Sequence, residues 1–535
     1  MQNENRNIWI KRNAQLIVVF TIILISFGSG CSVTAPKLSP EDRKRDIQFM
    51  ADWARDYSPF VELAQKHKGT PDYEALLPKY LEYAEQAESN EAFIRVAYEY
   101  YKLICPVGHR YLLRENELRL TRLGVLLGIN DFDISPFAFT KAIYWPRFAV
   151  GLSKYAHPPF GITCKDDKYS IDDDWETDGI IVPRGSQIVK VNGMSCLTYL
   201  DFIKDNTPLR YDPNPKGWTE EYLLIIDEGR DFKGWQVDFI LPEKSTHNAF
   251  VPKIQGLPAP KEERIQTVET KENCTCIELT DEVAYIRIKV MKPITNVWRA
   301  FFPSLLDKDG KIIETFLDKA NGKYSKLIID VRNNPGGMPS YFYENLIRPF
   351  LDESVTYDMV TGIRKKYRDN VRKSVLRTLR KNVSGKKEHV VGMEEIDAPE
   401  GFDANDWVFY RLTRRIEPRN RYNFDGSVYI LIDKPTFSAA DDYAHTVKRI
   451  GFARLVGQNT RGGGGTYLAP TVIRLPASGM ILSVETELLI NSDGSVNALF
   501  GTTPDILLEP ADPPRSITKE ALLKDKWIEH VIHEL

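Results

Sequence analysis

Two segments of the chain each begin as a buried strand, break at a tight turn and continue as a helix. The first is KLIIDVRNNPGGMPSY, from Lys326 to Tyr341, and the second is YILIDKPTFSAADDYA, from Tyr429 to Ala444. Between about residue 277 and about residue 510, β-rich runs of this kind alternate with helical runs. Strands that alternate with helices predict an α/β layer architecture.

A chain of 535 residues is too long for a single hydrophobic core, so several domains are expected. The segment from 32 to 150 has apolar residues at helical spacing, and the segment from 151 to 255 changes to short strands and turns. A Pro-rich and then charged stretch separates the latter from the α/β region. The predicted organisation is a signal at 1–31, a helical domain at 32–150, a β-rich module at 151–255, a linker at 256–276, an α/β core at 277–515 that contains a basic insertion at 360–425, and a C-terminal helix at 516–535.

The N-terminus has the pattern of a secretory signal. Arg6, Lys11 and Arg12 precede an apolar run, Ala14–Phe27, which is followed by GSGC. The run is too short to cross a bilayer comfortably. The end of the pattern resembles a bacterial lipobox, although Gly28 departs from it, and this resemblance implies that Cys31 is lipidated. The alternative is an uncleaved N-terminal anchor, and both interpretations place the rest of the chain outside the cytoplasm.

Charge and cysteine usage argue against two classes of function. The net charge is −3, whereas a nucleic-acid-binding protein usually has a basic surface. The remaining cysteines are not spaced as metal ligands: Cys105, Cys164 and Cys196 are far apart, and Cys274 and Cys276 are predicted to share one face of a strand. The cysteine spacing therefore predicts no metal site, and no organic cofactor is predicted either.

Three features could carry chemistry. Ser438 lies on small alanines where a helix begins, so it is either an exposed nucleophile or simply the helix N-cap. Gly336 and Gly337 follow a strand, and their amides could bind a developing oxyanion, although a tight turn would also explain them. His445 is two helical turns after Ser438, about 11 Å of rise, which is too far for a direct hydrogen bond.

Several motifs in the same order resemble the C-terminal-processing and tricorn-core family of serine peptidases. They are DVRNNPGG, PTFSAADDYA and GQNTRGGGG, with DEVAYIRIKVM as an opening strand and GTTPDILL as a closing turn. In addition, VPRGSQIVKVNGMS resembles a PDZ-like module. The resemblance covers residues from about 90 to about 510. It implies a multidomain α/β protein with an N-terminal helical domain, a PDZ-like β-rich module and a crotonase-like peptidase core.

The resemblance also implies roles for individual residues. Ser438 would be the nucleophile, and the amide of Ala439 together with that of Gly336 or Gly337 would form the oxyanion hole. The base of one branch of the family is a lysine, but Gly463 occupies that position here. The tricorn-like branch uses a histidine near the start of the core, and His109 in LICPVGHRYLL has that context.

The third member of the triad is left open by the sequence. The tricorn-like glutamate position is Ala498, which has no carboxylate. Asp493, Glu487 and Glu485 are the alternatives.

The resemblance to the peptidase family implies a serine-type endopeptidase acting through an acyl-enzyme. The lipobox-like N-terminus implies that this enzyme is lipid-anchored in the bacterial envelope. Its substrate would be a peptide or an unfolded protein, held as an added strand. The alternatives are a catalytically inactive peptide-binding lipoprotein and a scaffold built around the PDZ-like module. The basic stretch from Arg364 to Lys387 is interpreted as a lid over acidic substrate segments, or else as a charge-paired hairpin. The oligomeric state is not predicted.

Overall fold

The structure is a computed structural model of the chain. It describes residues 35–109, 112–113, 115, 118–119, 122, 135–146, 155–165, 168–177, 179–196, 198–199, 226–227, 233–255, 272–291, 308–320, 322–368, 388–419, 421–422, 424–464, 471–511, 514 and 517–535. The predicted signal, including Cys31, lies outside these residues. Among the residues described, no helix combines the length and the apolar character needed to span a membrane.

The first part of the described chain is helical. Several of its helices begin where a polar side chain caps the first turn: Ser39, Asp72 and Ser89 each accept a hydrogen bond from a backbone amide of the helix that they precede. Their apolar faces bury one core, which includes Trp53 and Tyr100. The helices are α1 Pro40–Tyr57, α2 Val61–Lys68, α3 Tyr73–Gln86, α4 Asn90–Ile104 and α5 Pro136–Ala142.

The second part is β-rich. Five of its strands form one sheet in the order β10-β9-β6-β3-β2, with β7 paired to β6. The sheet buries an apolar face around Trp235 and Phe239. The strands are β1 Tyr155–His157, β2 Ile162–Lys165, β3 Lys168–Ile171, β4 Trp175–Thr177, β5 Ile180–Val182, β6 Gln187–Val191, β7 Met194–Ser195, β8 Ile226–Asp227, β9 Gly234–Ile240, β10 Thr246–Pro252 and β11 Ile254–Gln255.

The predicted α/β core is built on a six-stranded sheet with helices on both faces. Its order is β12-β13-β14-β18-β19-β23, and every pair except β12–β13 is parallel. The first strand begins at Cys274, which lies inside the predicted linker 256–276. The strands are β12 Cys274–Glu278, β13 Val283–Ile288, β14 Lys326–Asp330, β18 Ser427–Ile432, β19 Arg454–Gly457 and β23 Ile506–Leu507.

Alternate residues of these strands enter two different cores. Ile329 and Ile430 pack against helices on one face, and Ile328 and Tyr429 pack against the C-terminal helices on the other. Strands that are buried on both faces read as continuous apolar runs, which is what LII and YILI show. The helices are α6 Lys308–Ala320, α7 Pro339–Phe342, α8 Ala439–Ile450, α9 Asn497–Phe500, α10 Lys519–Leu522 and α11 Lys526–Glu534.

A second sheet and a hairpin complete the core. The sheet has the order β16-β17-β15-β22, and the hairpin is β20–β21. The strands are β15 Val355–Arg364, β16 Glu388–Ile396, β17 Trp407–Ile416, β20 Thr471–Arg474, β21 Ile481–Val484 and β22 Glu487–Ile490. A π-helix at Tyr343–Ile347 and 3₁₀ turns at Arg348–Phe350 and Lys365–Tyr367 are also present.

The predicted basic insertion therefore contains sheet strands. Arg364, at the start of the predicted lid, ends β15, is buried beside Trp407 and pairs with Glu62. This residue is not part of a solvated face. Residues 369–387 lie outside the described chain, so the lid remains a prediction.

Candidate active site

The two turns singled out in the sequence meet at one edge of the core sheet. The glycine turn, residues 333–337, follows β14, and the serine turn, residues 433–438, follows β18. Because β14 and β18 are adjacent and parallel, their carboxyl ends lie side by side. The Phe437 amide donates to the Asn334 carbonyl at 3.0 Å, and the Asn333 amide donates to the Asp433 carboxylate at 2.9 Å. These bonds fix the two turns to each other.

Ser438 does not act as a side-chain N-cap of α8. Its hydroxyl makes no capping hydrogen bond, whereas its carbonyl accepts from the Asp442 amide at 2.8 Å. The backbone of Ser438 has φ 55° and ψ −125°, a conformation that is rare for a residue with a side chain. The sharp turn starts the helix through the backbone and leaves the hydroxyl available for another partner.

That partner is His109. The Nε2 atom of His109 lies 2.6 Å from the Ser438 Oγ atom, although 329 residues separate the two in sequence. The Nδ1 atom of the same ring lies 2.6 Å from Oε1 of Glu485. The Glu485 side chain is 4% exposed and that of His109 is 19% exposed. The structure thus aligns a hydroxyl, an imidazole and a buried carboxylate.

The hydrogen bonds fix the direction of proton transfer along this line. A carboxylate accepts hydrogen bonds, so Nδ1 of His109 carries the proton and Nε2 is left as the acceptor facing Ser438. The same Oε1 atom also accepts from the His109 backbone amide at 2.8 Å. Glu485 therefore holds both the ring and the main chain of His109.

Gly108 makes the approach of Glu485 possible. It has φ +77°, and a Cβ atom at this position would lie 2.0 Å from Oε2 of Glu485. Only glycine leaves room for the carboxylate there.

The hairpin that precedes Glu485 is tied to the helical region. Leu112, three residues after His109, forms a β-bridge with Leu482, and the Tyr101 hydroxyl of α4 donates to the Ser483 carbonyl. Asp46 of α1 accepts from the amides of Ala477 and Ser478 at 2.7 and 2.8 Å. Two of the three aligned groups thus depend on contacts between the helical region and the β20–β21 hairpin.

The amides considered for an oxyanion hole differ in whether they already have a hydrogen-bond acceptor. Within the part of the chain that the structure describes, the amides of Gly337 and Ala439 donate to no protein atom. The Gly336 amide, by contrast, donates to Oδ1 of Asn334 at 2.9 Å. Of the two glycines considered from the sequence, Gly337 is therefore the one with an amide to offer. Gly336 has φ +91°, and a Cβ atom there would lie 2.6 Å from Ser438 Cβ, so this glycine permits the close approach of the turns.

Phe437 fills the region where the lysine-using branch of the resembled family has its base. A Cβ atom on Gly463 would lie 2.5 Å from the Phe437 ring, and Gly463 has φ +77°. The Phe437 ring lies 5.0 Å from the His109 ring and 5.0 Å from the guanidinium of Arg461. The aromatic ring supports His109 at the position where a lysine would otherwise have to enter.

A buried ion-pair network anchors the start of the glycine turn. Arg332 donates to Asp330 at 2.7 Å and to Asp525, the N-cap of α11, at 2.8 Å. Burial raises the pKa of Asp330, but the guanidinium groups of Arg332 and Arg287 outweigh burial and lower the pKa to about 2. The network joins the glycine turn to the C-terminal helices.

The other candidates from the sequence lie elsewhere. His445 is buried, its ring nitrogens have no hydrogen-bond partner in the described chain, and burial lowers its pKa to about 3, so it stays neutral. Asp493 accepts from Ser495, and Glu487 accepts from Thr361. Ala498 has no group to offer. No three His, Cys, Asp or Glu side chains among the described residues come together as a metal site.

A model of peptidase family S41 matches residues 282–508. Residues 282–508 belong to peptidase family S41. The family is one of peptidases, and the S41 segment of this chain contains Ser438, Glu485 and both turns. His109 lies outside the S41 segment, on the loop that follows α4. No curated protein matches the chain at a significant level.

Solved structures share the fold of this chain at low identity. Mature CPAF matches with a TM-score of 0.51 at 14% identity, over 88% of this chain and 93% of that one. Mature CPAF complexed with lactacystin matches with a TM-score of 0.50 at 15% identity, over 88% of this chain and 94% of that one. The photosystem II D1 C-terminal processing protease matches with a TM-score of 0.36 at 14% identity, over 91% of this chain and 98% of that one. The fold class expected from the sequence is confirmed.

Proposed function

We propose that this protein is a serine-type endopeptidase in which Ser438 is the nucleophile, His109 the base and Glu485 the group that orients His109. The observation that carries the proposal is the continuous line of hydrogen bonds from Ser438 Oγ through both ring nitrogens of His109 to Glu485, each 2.6 Å long. A serine hydroxyl is a weak nucleophile unless a base accepts its proton, and this arrangement supplies the base.

The proposed reaction follows from the positions of these groups. Ser438 Oγ attacks the carbonyl carbon of the peptide bond while its proton passes to His109 Nε2. The amides of Gly337 and Ala439 then donate to the carbonyl oxygen as it becomes negative. His109 returns the proton to the departing amine, which leaves an acyl-enzyme. Water, activated by the same imidazole, hydrolyses the ester and restores Ser438.

The carboxylate acts on the imidazole and not on the substrate. As His109 accepts the proton it becomes a cation, and Glu485, buried at 2.6 Å, stabilises that charge in a region of low dielectric constant. Glu485 is thereby the proposed substitute for the carboxylate that the resembled family has at the position of Ala498.

The substrate class and the location are also proposed. A peptide or an unfolded protein fits a peptidase that holds its substrate as an added strand. We also infer a lipid anchor at Cys31 and a place in the bacterial envelope. The support for this location is the pattern of basic residues, apolar run and small residues at the N-terminus.

Labelling with a fluorophosphonate, which reacts with activated serines, tests the proposal most directly. The wild-type protein is expected to be labelled at Ser438, as located by peptide mass spectrometry. Ser438→Ala should abolish the labelling, and Glu485→Gln and His109→Ala should slow it strongly. Labelling that is absent from the folded wild-type protein would leave a peptide-binding or scaffold protein.

A further inference from the structure

Cys274 and Cys276 form a pair of free thiols that the proposed reaction does not use. Both lie on β12, the edge strand of the core sheet, and face the same side, with their Sγ atoms 4.0 Å apart. Cys274 is 1% exposed, whereas Cys276 is half-buried at the margin of the same core. The Cys276 thiol can therefore react with a reagent from solvent, whereas the Cys274 thiol is shielded from it.

We propose that Cys274 and Cys276 are a redox-active dithiol that a small-molecule disulfide such as oxidised glutathione converts to an intramolecular disulfide. The hydrogen bond with Cys276 and burial raise the pKa of Cys274, so the more exposed Cys276 is the thiol that reacts first.

The reaction balances in two exchange steps. The Cys276 thiolate attacks a sulfur of oxidised glutathione, forms a mixed disulfide and releases one glutathione. The Cys274 sulfur then attacks the Cys276 sulfur, the protein disulfide forms, and the second glutathione leaves. Two protein thiols are oxidised, one glutathione disulfide is reduced by two electrons, and both protons leave with the glutathione thiols.

Closure of this disulfide requires the strand to bend. Residues two apart in an extended strand have Cα atoms separated by about 6.6 Å, near the upper end of the roughly 4.4–6.8 Å that disulfides span. Because β12 is an edge strand that pairs only with β13 among the described strands, it can bend without breaking a second ladder.

The bend would reach the glycine turn through Asn273, the residue before Cys274. Its side chain accepts from the Val290 amide at 3.0 Å and donates to Asp309 at 2.7 Å. Met291, which follows Val290, hydrogen-bonds to the residues on both sides of Gly337. Its amide donates to the Gly336 carbonyl at 2.9 Å, and its carbonyl accepts from the Met338 amide at 2.7 Å. Gly337, the proposed oxyanion donor, lies between these two bonds.

The dithiol is therefore a modification site whose oxidation loosens the turn that carries the Gly337 amide. This consequence rests on the proposed function, whereas the thiol chemistry does not. Loss of one oxyanion donor costs a hydrolase about 10²-fold or more in kcat, so a displaced Gly337 should slow reaction at Ser438 by at least about tenfold.

The test uses the full chain equilibrated with reduced or oxidised glutathione. Trypsin releases residues 272–287 as one peptide that contains both cysteines and no others. In the oxidised sample this peptide should lose two hydrogen atoms in mass, and dithiothreitol should restore them. A peptide that stays reduced, or that gains only glutathione adducts, overturns the proposal.

Hydrogen exchange tests the link to the turn without requiring any activity. The amides of Met291 and Met338 should exchange faster in the oxidised protein, while those of β14 stay unchanged. Cys276→Ser should show no response to oxidised glutathione. If the disulfide forms but exchange at Met291 and Met338 is unchanged, the link between the dithiol and the glycine turn is wrong. If exchange becomes faster but fluorophosphonate never labels the protein, the dithiol proposal stands and the proposed peptidase function is wrong.

Discussion

At the scale of one residue, Glu485 shows why part of the candidate site could not be predicted from the sequence. It is one of two acids in the apolar run MILSVETELLI, and nothing in that run distinguishes it from Glu487. The distinction comes from the hairpin, which directs Glu485 towards His109 and Glu487 towards Thr361. An acid within an apolar run was the available signal, but its partner could be known only from the fold.

Replacing Glu485 with glutamine should reveal its role. The amide keeps the size of the side chain but cannot stabilise the imidazolium, and it can impose the wrong tautomer on His109. We expect kcat to fall roughly 10²- to 10⁴-fold with little change in KM. Steady-state kinetics on a peptide substrate measure this. Asp493→Asn is the matched control, since Asp493 is exposed and, among the described residues, hydrogen-bonds only within its own turn. A comparable loss in that variant would contradict the assignment.

Gly108 allows a second prediction at the same scale. Gly108→Ala places a methyl group against Oε2 of Glu485 in a backbone with φ +77°. We expect kcat/KM to fall at least about tenfold because Glu485 must move away from His109. Gly494→Ala is the control: it has φ +84°, but a Cβ atom there meets nothing within 4 Å. That variant should lose only about 1 kcal/mol of stability and keep its activity. Equal activities of the two variants would show that the Gly108→Ala clash is relieved without moving Glu485 away from His109.

Among the elements, β14 and the turn after it depend on the buried pair of Asp330 and Arg332. The pKa of Asp330 is lowered from 3.8 to about 2, so its ionised form stabilises the fold above about pH 3.8, and this contribution is lost as the pH falls through 2. At about 1.4 kcal/mol for each pH unit, the difference is worth about 2 kcal/mol.

Urea unfolding of the wild type and Asp330→Asn across pH should measure this contribution. The difference in unfolding free energy is expected to stay constant from pH 7 to about pH 4 and to shrink by about 2 kcal/mol towards pH 2. Subtracting the variant removes the effect of the other carboxylates. A difference that does not change below pH 4 would mean that Asp330 and Arg332 do not form this pair in solution.

The elements themselves were largely predictable. Continuous apolar strands followed by Gly-Gly and by Ser-Ala-Ala indicated the α/β core, and the Ser-Pro start of α1 indicated a helix that the structure caps with Ser39. The strands within the basic insertion were not predicted. Arg364 reads as a surface charge, but its place beside Trp407 and Glu62 depends on contacts with residues far away in sequence.

At the scale of the whole molecule, the candidate site is composite. Ser438 and Glu485 come from the S41 segment, whereas His109 comes from the loop after α4. Ser438→Ala and His109→Ala should each abolish peptidase activity while leaving the thermal midpoint nearly unchanged. The double variant should be no slower than either single one, because groups that act as one unit lose their function together. Additive losses would mean that the two residues act in separate steps.

The backbone of Ser438 has an evolutionary consequence. Its φ of 55° with ψ −125° is a conformation that glycine adopts freely and alanine does not. Ser438→Gly should therefore be more stable than Ser438→Ala by about 1 kcal/mol or more, although both lack the hydroxyl, and calorimetry of the two variants measures this. If alanine proves as stable as glycine, the turn is not strained. If the prediction holds, the backbone strain at the proposed nucleophile is a standing selective cost. A lineage released from the need to cleave peptides would gain stability by drifting to glycine, so the identity of this one residue in a descendant would record whether selection for catalysis had continued.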